Sequence, residues 1–123
     1  MPETNWRPRA SNGLDNKFCE DNDSVIASAR ACVTPMFEDK PCTVMPVFSS
    51  GQTVRQAGPT FEALGSCDLI HAAGGGIMAH PDGPTAGVEA FKQAWEAAMS
   101  GQSAQDYAKS NPALARALDA FPG

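Results

Sequence analysis

Basic residues are few here: 9 of the 123 residues are lysine or arginine, and they form no stripe. The one local grouping is Arg7 and Arg9 beside Trp6. Nucleic-acid binding needs a clustered positive footprint, so that class is set aside. The net charge of −5 leaves an anionic ligand open, because backbone N–H groups hold phosphate without side-chain cations. No apolar run approaches the roughly 18 residues of a membrane span, and the N-terminus has no signal-peptide pattern. A soluble, cytoplasmic protein with no membrane partner is expected. Cysteine is sparse and unpatterned. Cys19, Cys32, Cys42 and Cys67 contain no C-x-x-C pair, and His71 and His80 stand at no zinc-finger distance from them. Free thiols are expected, and no metal site.

With 42% hydrophobic and 19% charged residues, the balance is that of a globular domain rather than a disordered chain. Residues 1–16 are polar, carry Pro2, Pro8 and Gly13, and show no periodicity; 1–11 reads as an irregular leader. Val25, Ala29, Cys32, Val33 and Met36 then fall at helical spacing, with Asp23 or Ser24 as N-cap and Pro35 as the stop. Thr43 to Phe48 reads as a buried strand. Pro46 inside it is a warning, since proline removes a ladder donor and prefers edges.

A short helix is expected from near Pro59 to Gly65, with Phe61 and Leu64 inward. Cys67 to Ala73 reads as a second strand. After Gly83 and Pro84 the spacing predicts a long helix with Val88, Phe91, Trp95, Ala98 and Met99 on its apolar face and Gly101 as its stop. Ser103 to Ala108 is a possible short helix. Asn111 caps a last one, with Pro112 in its first turn and Leu114, Leu118 and Phe121 on one side. Strands alternating with helices imply a parallel sheet. Two strands are too few for one covered on both faces.

The triple glycine Gly74-Gly75-Gly76 is the sharpest motif. Glycines after a strand let backbone approach a ligand closely. Gly74-x-Gly76-x-x-Ala79 also satisfies the dinucleotide fingerprint, but His80 to Pro84 intervene before the helix. The acidic residue wanted about 20 residues on, at a strand end, is Glu96 inside a helix. Ser49-Ser50-Gly51 ends the preceding strand in a similar way. Two donor-rich strand ends side by side suit a phosphate, as in β/α barrels after the last two strands.

Three segments resemble the C-terminal barrel portion of the RuBisCO superfamily, and within it the RuBisCO-like proteins (form IV type) more than the carboxylase. They are Met45 to Gln52, Gly74 to Pro84 and Gln93 to Ala97. Asn12 to Phe18 resembles the mobile loop after the sixth barrel strand. The resemblance covers 12–123 and implies an α/β fold, the C-terminal part of a TIM (β/α)8 barrel (units about six to eight), incomplete as an isolated chain. A full barrel typically needs roughly 250 residues.

It further implies that Ser49, Ser50, Gly51, Gly74 and Gly75 bind one phosphate of a sugar phosphate, and that Lys17 is the mobile-loop candidate. His80 and Asp82 would orient the turn into the long helix, and His71 would be a satisfied core or rim residue. Full-length family members hold Mg²⁺ on a carbamylated lysine and two acids. No Lys-x-Asp-Glu run occurs here, so no cofactor and no catalytic residue is assigned to this chain, and Glu20 to Asp23 reads as a solvated helix cap. The resemblance therefore implies a truncated RuBisCO-like protein. It would carry the phosphate-binding half of a sugar-phosphate isomerase or enolase of the methylthioribulose-phosphate (methionine salvage) lineage, not catalytic alone. A non-catalytic interaction module and a nonfunctional remnant are the alternatives. Unpaired sheet edges imply a homo-oligomer or association with another barrel-type chain.

Overall fold

The computed structural model describes residues 8–17, 20–34 and 44–121. Three strands, β1 (Pro8–Asn12), β2 (Met45–Ser49) and β3 (Ile70–His71), form one parallel sheet in the order β1-β2-β3. Helix α1 (Asn22–Val33) joins the first two strands. A 3-10 turn at Val54–Gln56 and helix α2 (Ala57–Leu64) join the second and third. After β3 come α3 (Gly75–Met78), α4 (Pro84–Met99), α5 (Ala104–Ala108) and α6 (Pro112–Ala120). This is an α/β fold with a small, unclosed sheet.

Strand β1 corrects the reading of 1–11 as an irregular leader over 8–11, while 1–7 lie outside the described residues. Pro8-Arg-Ala-Ser-Asn12 has no hydrophobic alternation to mark it. Its extension comes from pairing, with Pro8 to Asn12 in register with Met45 to Ser49. The sequence-predicted strand 67–73 shrinks to Ile70 and His71, which pair with Val47 and Phe48. That short ladder also accounts for Pro46. The proline is fully buried in the middle strand, yet its register partner is Arg9 of β1, and the β3 ladder begins one residue later.

Helix α1 buries Val25, Ala29 and Cys32 as the spacing predicts, while Met36 lies outside the described residues. Its N-cap is Asp21, not Asp23 or Ser24. Glu20 is not a merely solvated cap residue: its carboxylate accepts from Asn12 Nδ2 at 2.8 Å and Ser24 Oγ at 2.9 Å. Gly65 ends α2 at φ 71°, the left-handed conformation that glycine adopts without strain.

Helix α4 runs from Pro84 and stops before Gly101 as expected, but its buried face differs from the predicted stripe. Gly87, Ala90, Phe91, Ala94 and Ala97 face the protein, whereas Val88 and Met99 are 48% and 53% exposed. Small residues win because α4 is packed on α2, α3, α5 and α6 at once. A Cβ on Gly87 would stand 2.2 Å from the Ile77 carbonyl oxygen, so α3 approaches through a gap only glycine leaves. Around this helix lies one core, including Val54, Ala57, Phe91, Leu114 and Leu118. A second core of Leu14, Val25, Ala29 and Phe48 lies under α1.

Asn111 is the N-cap of α6, but its side chain donates to the Tyr107 carbonyl instead of capping. The free Leu114 N–H is taken by Gln93 Oε1 of α4 at 3.1 Å. At the other end the Arg55 guanidinium donates to the carbonyls of Leu118, at 2.7 Å, and Phe121. A cation there also complements the helix dipole. His80 and Asp82 serve the turn into α4. His80 Nδ1 accepts from the Asp82 N–H at 3.0 Å, and His80 Nε2 donates to the Ala113 carbonyl at 2.9 Å.

Candidate phosphate site at the strand ends

All three strands point their carboxyl ends the same way. Asn12 and Ser49 are register partners at the ends of β1 and β2, and Phe48 pairs with His71 beside them. The crevice outside the carboxyl ends of parallel strands is where ligands of α/β proteins bind. A cavity of about 760 Å³ lies there, and its lining includes Lys17, Ser49, Ser50, Gly51, Gly74 and Gly75. The six residues expected to bind phosphate or to be the mobile-loop candidate therefore border one space.

The β2 end turns sharply. Ser50 and Gly51 have φ of 75° and 66°. The left-handed region is unfavourable for serine, and two contacts hold Ser50 in it. Its Oγ accepts the Lys17 N–H at 3.2 Å, and its carbonyl accepts from Gln52 Nε2 at 2.9 Å. Gly51 needs its missing side chain as well as its positive φ, since a Cβ there would meet Lys17 Cγ at 3.1 Å.

The loop after β1 is tied down on both sides. Buried Asn16 donates to the carbonyls of Gly13 and Glu20 and accepts from the Glu20 N–H at 3.1 Å. Asp15 and Asn22 exchange two hydrogen bonds.

The three glycines after β3 are not equivalent. A Cβ on Gly76 would stand 2.2 Å from the Gln52 carbonyl oxygen, so that position is closed by packing. A Cβ on Gly74 or Gly75 would meet nothing within 4 Å, and neither residue has a positive φ. Neither packing nor backbone conformation requires glycine at these two positions, and both open onto the cavity.

Sequence reasoning missed Gln52, which is 2% exposed and joins all three strand ends. Its Nε2 donates to the Leu14 carbonyl at 2.8 Å, and its Oε1 lies 3.0 Å from His71 Nε2. A long amide next to a Ser-Gly turn is the one trace it leaves in the sequence. His71 is satisfied, as expected. Trp95 Nε1 donates to its Nδ1 at 3.2 Å, and burial lowers its pKa from 6.5 to about 4.

The donor set suits an anion. Among the described residues, hydroxyls, amides and one lysine line the cavity and no carboxylate does. Hard divalent cations want carboxylate and carbonyl oxygens. Among the described residues no three of His, Cys, Asp and Glu gather in a metal-binding group. The Glu20 and Asp15 carboxylates are engaged with Asn12, Ser24, Asn22 and Gln56. The Mg²⁺ that the resemblance implies for full-length relatives does not fit these described residues. Cys32 is a buried free thiol and Cys67 an exposed one, while Cys19 and Cys42 lie outside the described residues. Among the described residues no helix is long and apolar enough to cross a membrane.

Residues 17–121 match the family described as ribulose bisphosphate carboxylase large chain, catalytic domain. The chain belongs to this RuBisCO family. It is 60% identical over 107 residues to a 3-oxo-isoapionate-4-phosphate transcarboxylase/hydrolase of Xanthobacter autotrophicus, covering 87% of this chain and 26% of that protein. It is 43% identical over 111 residues to a 3-oxo-isoapionate-4-phosphate decarboxylase of Rhizobium etli, covering 89% and 26%. The crystal structure of a RuBisCO-like protein from Burkholderia fungorum superimposes with a TM-score of 0.91 at 44% identity, covering 94% of this chain and 28% of that one. The chain thus spans about a quarter of the length of these RuBisCO relatives.

Proposed function

We propose that this chain is the phosphate-holding part of a RuBisCO-like enzyme of the form IV kind, its strands β1 to β3 corresponding to the sixth to eighth of a β/α barrel. The substrate's phosphate lies in the cavity between Ser49, Ser50 and Gly51 on one side and Gly74 and Gly75 on the other, with Lys17 above it. The observation that carries this reading is the open space at Gly74 and Gly75. Two consecutive glycines that neither packing nor φ requires keep bare backbone facing a cavity that no carboxylate among the described residues borders, and bare backbone N–H groups are what a phosphate uses.

The substrate is a phosphorylated 3-oxo sugar acid or a related keto sugar. The 60% identical relative carries 3-oxo-isoapionate 4-phosphate in its name, and this favours that class over the methylthioribulose phosphate expected from the sequence. Either substrate passes through an enolate or enediolate, which needs a Lewis acid and a base. Among the described residues, those that border the cavity gather no ligand set for a metal ion. Their contribution is to fix one end of the substrate, which lowers the barrier by orientation.

Titration calorimetry of the chain with inorganic phosphate tests the site. Weak, saturable binding is expected, and Gly75→Val removes it, because the side chain starts in open space on the cavity side, where a Cβ meets nothing within 4 Å. Equal affinity in wild type and Gly75→Val refutes the assignment.

A further inference from the structure

The strand-end turn that carries Ser50 and Gly51 is held by a hydrogen-bond chain that starts outside the cavity. Trp95 Nε1 lies 3.2 Å from His71 Nδ1. An indole N–H can only donate, so Nδ1 carries no proton and the ring's proton is on Nε2. His71 Nε2 then donates to Gln52 Oε1 at 3.0 Å. With its oxygen fixed towards the histidine, the Gln52 amide must present its NH₂ to the carbonyls of Leu14 and Ser50, at 2.8 and 2.9 Å. The inverted amide would face one N–H with another and set its oxygen against two carbonyls. One donor-only group on α4 thereby fixes the direction of every bond down to the two loops.

The surroundings are built to admit this chain. A Cβ on Gly13 would stand 2.2 Å from Gln52 Cδ, so the β1 loop leaves room for the amide. Gly76 presses on the Gln52 carbonyl from the third strand end. Phe91 and Trp95 meet the His71 ring edge to face, at centroid distances of 5.2 and 5.7 Å, which restricts rotation of the imidazole. A protonated ring would turn an Nδ1–H against the Trp95 N–H. Burial keeps the ring neutral, its pKa lowered to about 4.

We infer that Gln52 is the positioning residue of the strand-end site, its amide held in one orientation by the His71 tautomer that Trp95 selects. The Gln52 side chain is engaged with Leu14, Ser50 and His71 and acts through the loops: it sets where Ser50, Gly51 and the Leu14 to Lys17 loop stand. The inference rests on the phosphate reading only for what the loops hold, not for the relay itself.

Nitrogen-15 NMR of the full chain tests the relay without a ligand. The His71 ring is expected to be the neutral Nε2–H tautomer at pH 7, and Trp95→Phe is expected to let the Nδ1–H form appear. Gln52→Leu should speed exchange of the Gly13 amide, bonded to the Ser49 carbonyl, and of the Lys17 amide by about tenfold each, since two hydrogen bonds to the loops are lost. Amides of α6 should be unchanged, which separates positioning from general loosening. Gln52→Glu accepts from His71 but cannot donate to the two carbonyls, and it should match Gln52→Leu in exchange. An Nδ1–H tautomer in wild type overturns the relay, as do a tautomer insensitive to Trp95→Phe and unaltered Gly13 and Lys17 exchange in Gln52→Leu. Failure of wild type to bind phosphate, with these spectra as expected, removes the ligand reading and leaves the relay standing.

Discussion

Gly76 packs against the carbonyl of Gln52 so closely that a Cβ would stand 2.2 Å from the oxygen, and 3.1 Å from Thr53 Cα. The strand-end loops after β2 and β3 touch there through backbone alone. Neither backbone can yield cheaply, since both leave paired strands. Gly76→Ala is therefore expected to destabilise the fold by about 2 kcal/mol, as overpacking does. Gly75→Ala, with open space around it, should change stability by less than about 1 kcal/mol. Urea unfolding of the two variants gives the comparison, and equal midpoints would contradict this account of the glycine triplet.

His71 predicts a pH dependence. Its folded pKa lies near 4 against 6.5 for the free side chain, because burial disfavours the charged ring. Between those values the unfolded chain binds the proton and the folded chain does not. Stability contributed by the neutral ring is complete above about pH 6.5 and falls as pH drops towards 4. Allowing for the ring's partial exposure, the loss is about 2 kcal/mol. Unfolding of wild type and His71→Asn between pH 4 and 8 should diverge only in that window. Parallel curves would mean the ring is not buried neutral.

Association is expected from the sheet's margins. Among the described residues β1 and β3 each pair on one side only, and unpaired edges invite other strands. Beside β3 a mainly apolar groove of about 420 Å³ has Leu69, Ile77, Val88, Trp95 and Met99 in its lining, with Lys92 among them. Covering its apolar lining contributes about 2 kcal/mol. Sedimentation should show concentration-dependent association, and Val88→Lys with Met99→Lys should shift it towards monomer. A monodisperse wild-type monomer with strongly protected amides near Val47 and Ile70 would instead make this a self-sufficient fold.

Mg²⁺-dependent enolisation by the 123-residue chain alone is not expected, because among the described residues no carboxylate borders the cavity. Deuterium exchange into methylthioribulose phosphate, with Mg²⁺ and bicarbonate present, is the measurement. Robust exchange would place the metal ligands and base within this chain.

Much of the local structure was written in single residues. Pro84 and Gly101 bound α4, Gly65 closes α2, and Pro112 opens α6, because each of these signals acts through the backbone torsions of its own neighbourhood. The residues of both phosphate-candidate loops were legible for the same reason, since small donor-rich residues ending apolar runs need no distant partner to be noticed. What the sequence alone determined was thus the order of α1, β2, α2, β3, α4, α5 and α6, the parallel alternation and the strand-end motifs.

Tertiary structure decided the rest. Pro8–Asn12 is a strand because β2 lies beside it, not because of any pattern in its side chains. The inward face of α4 carries Ala90, Ala94 and Ala97 rather than Val88 and Met99, because four neighbouring helices leave little room there. Gln52, His71 and Trp95 are 19 and 24 residues apart along the chain. Nothing local marks them as a unit. Only folding aligns a donor-only indole, an imidazole and an amide so that each fixes the direction of the next.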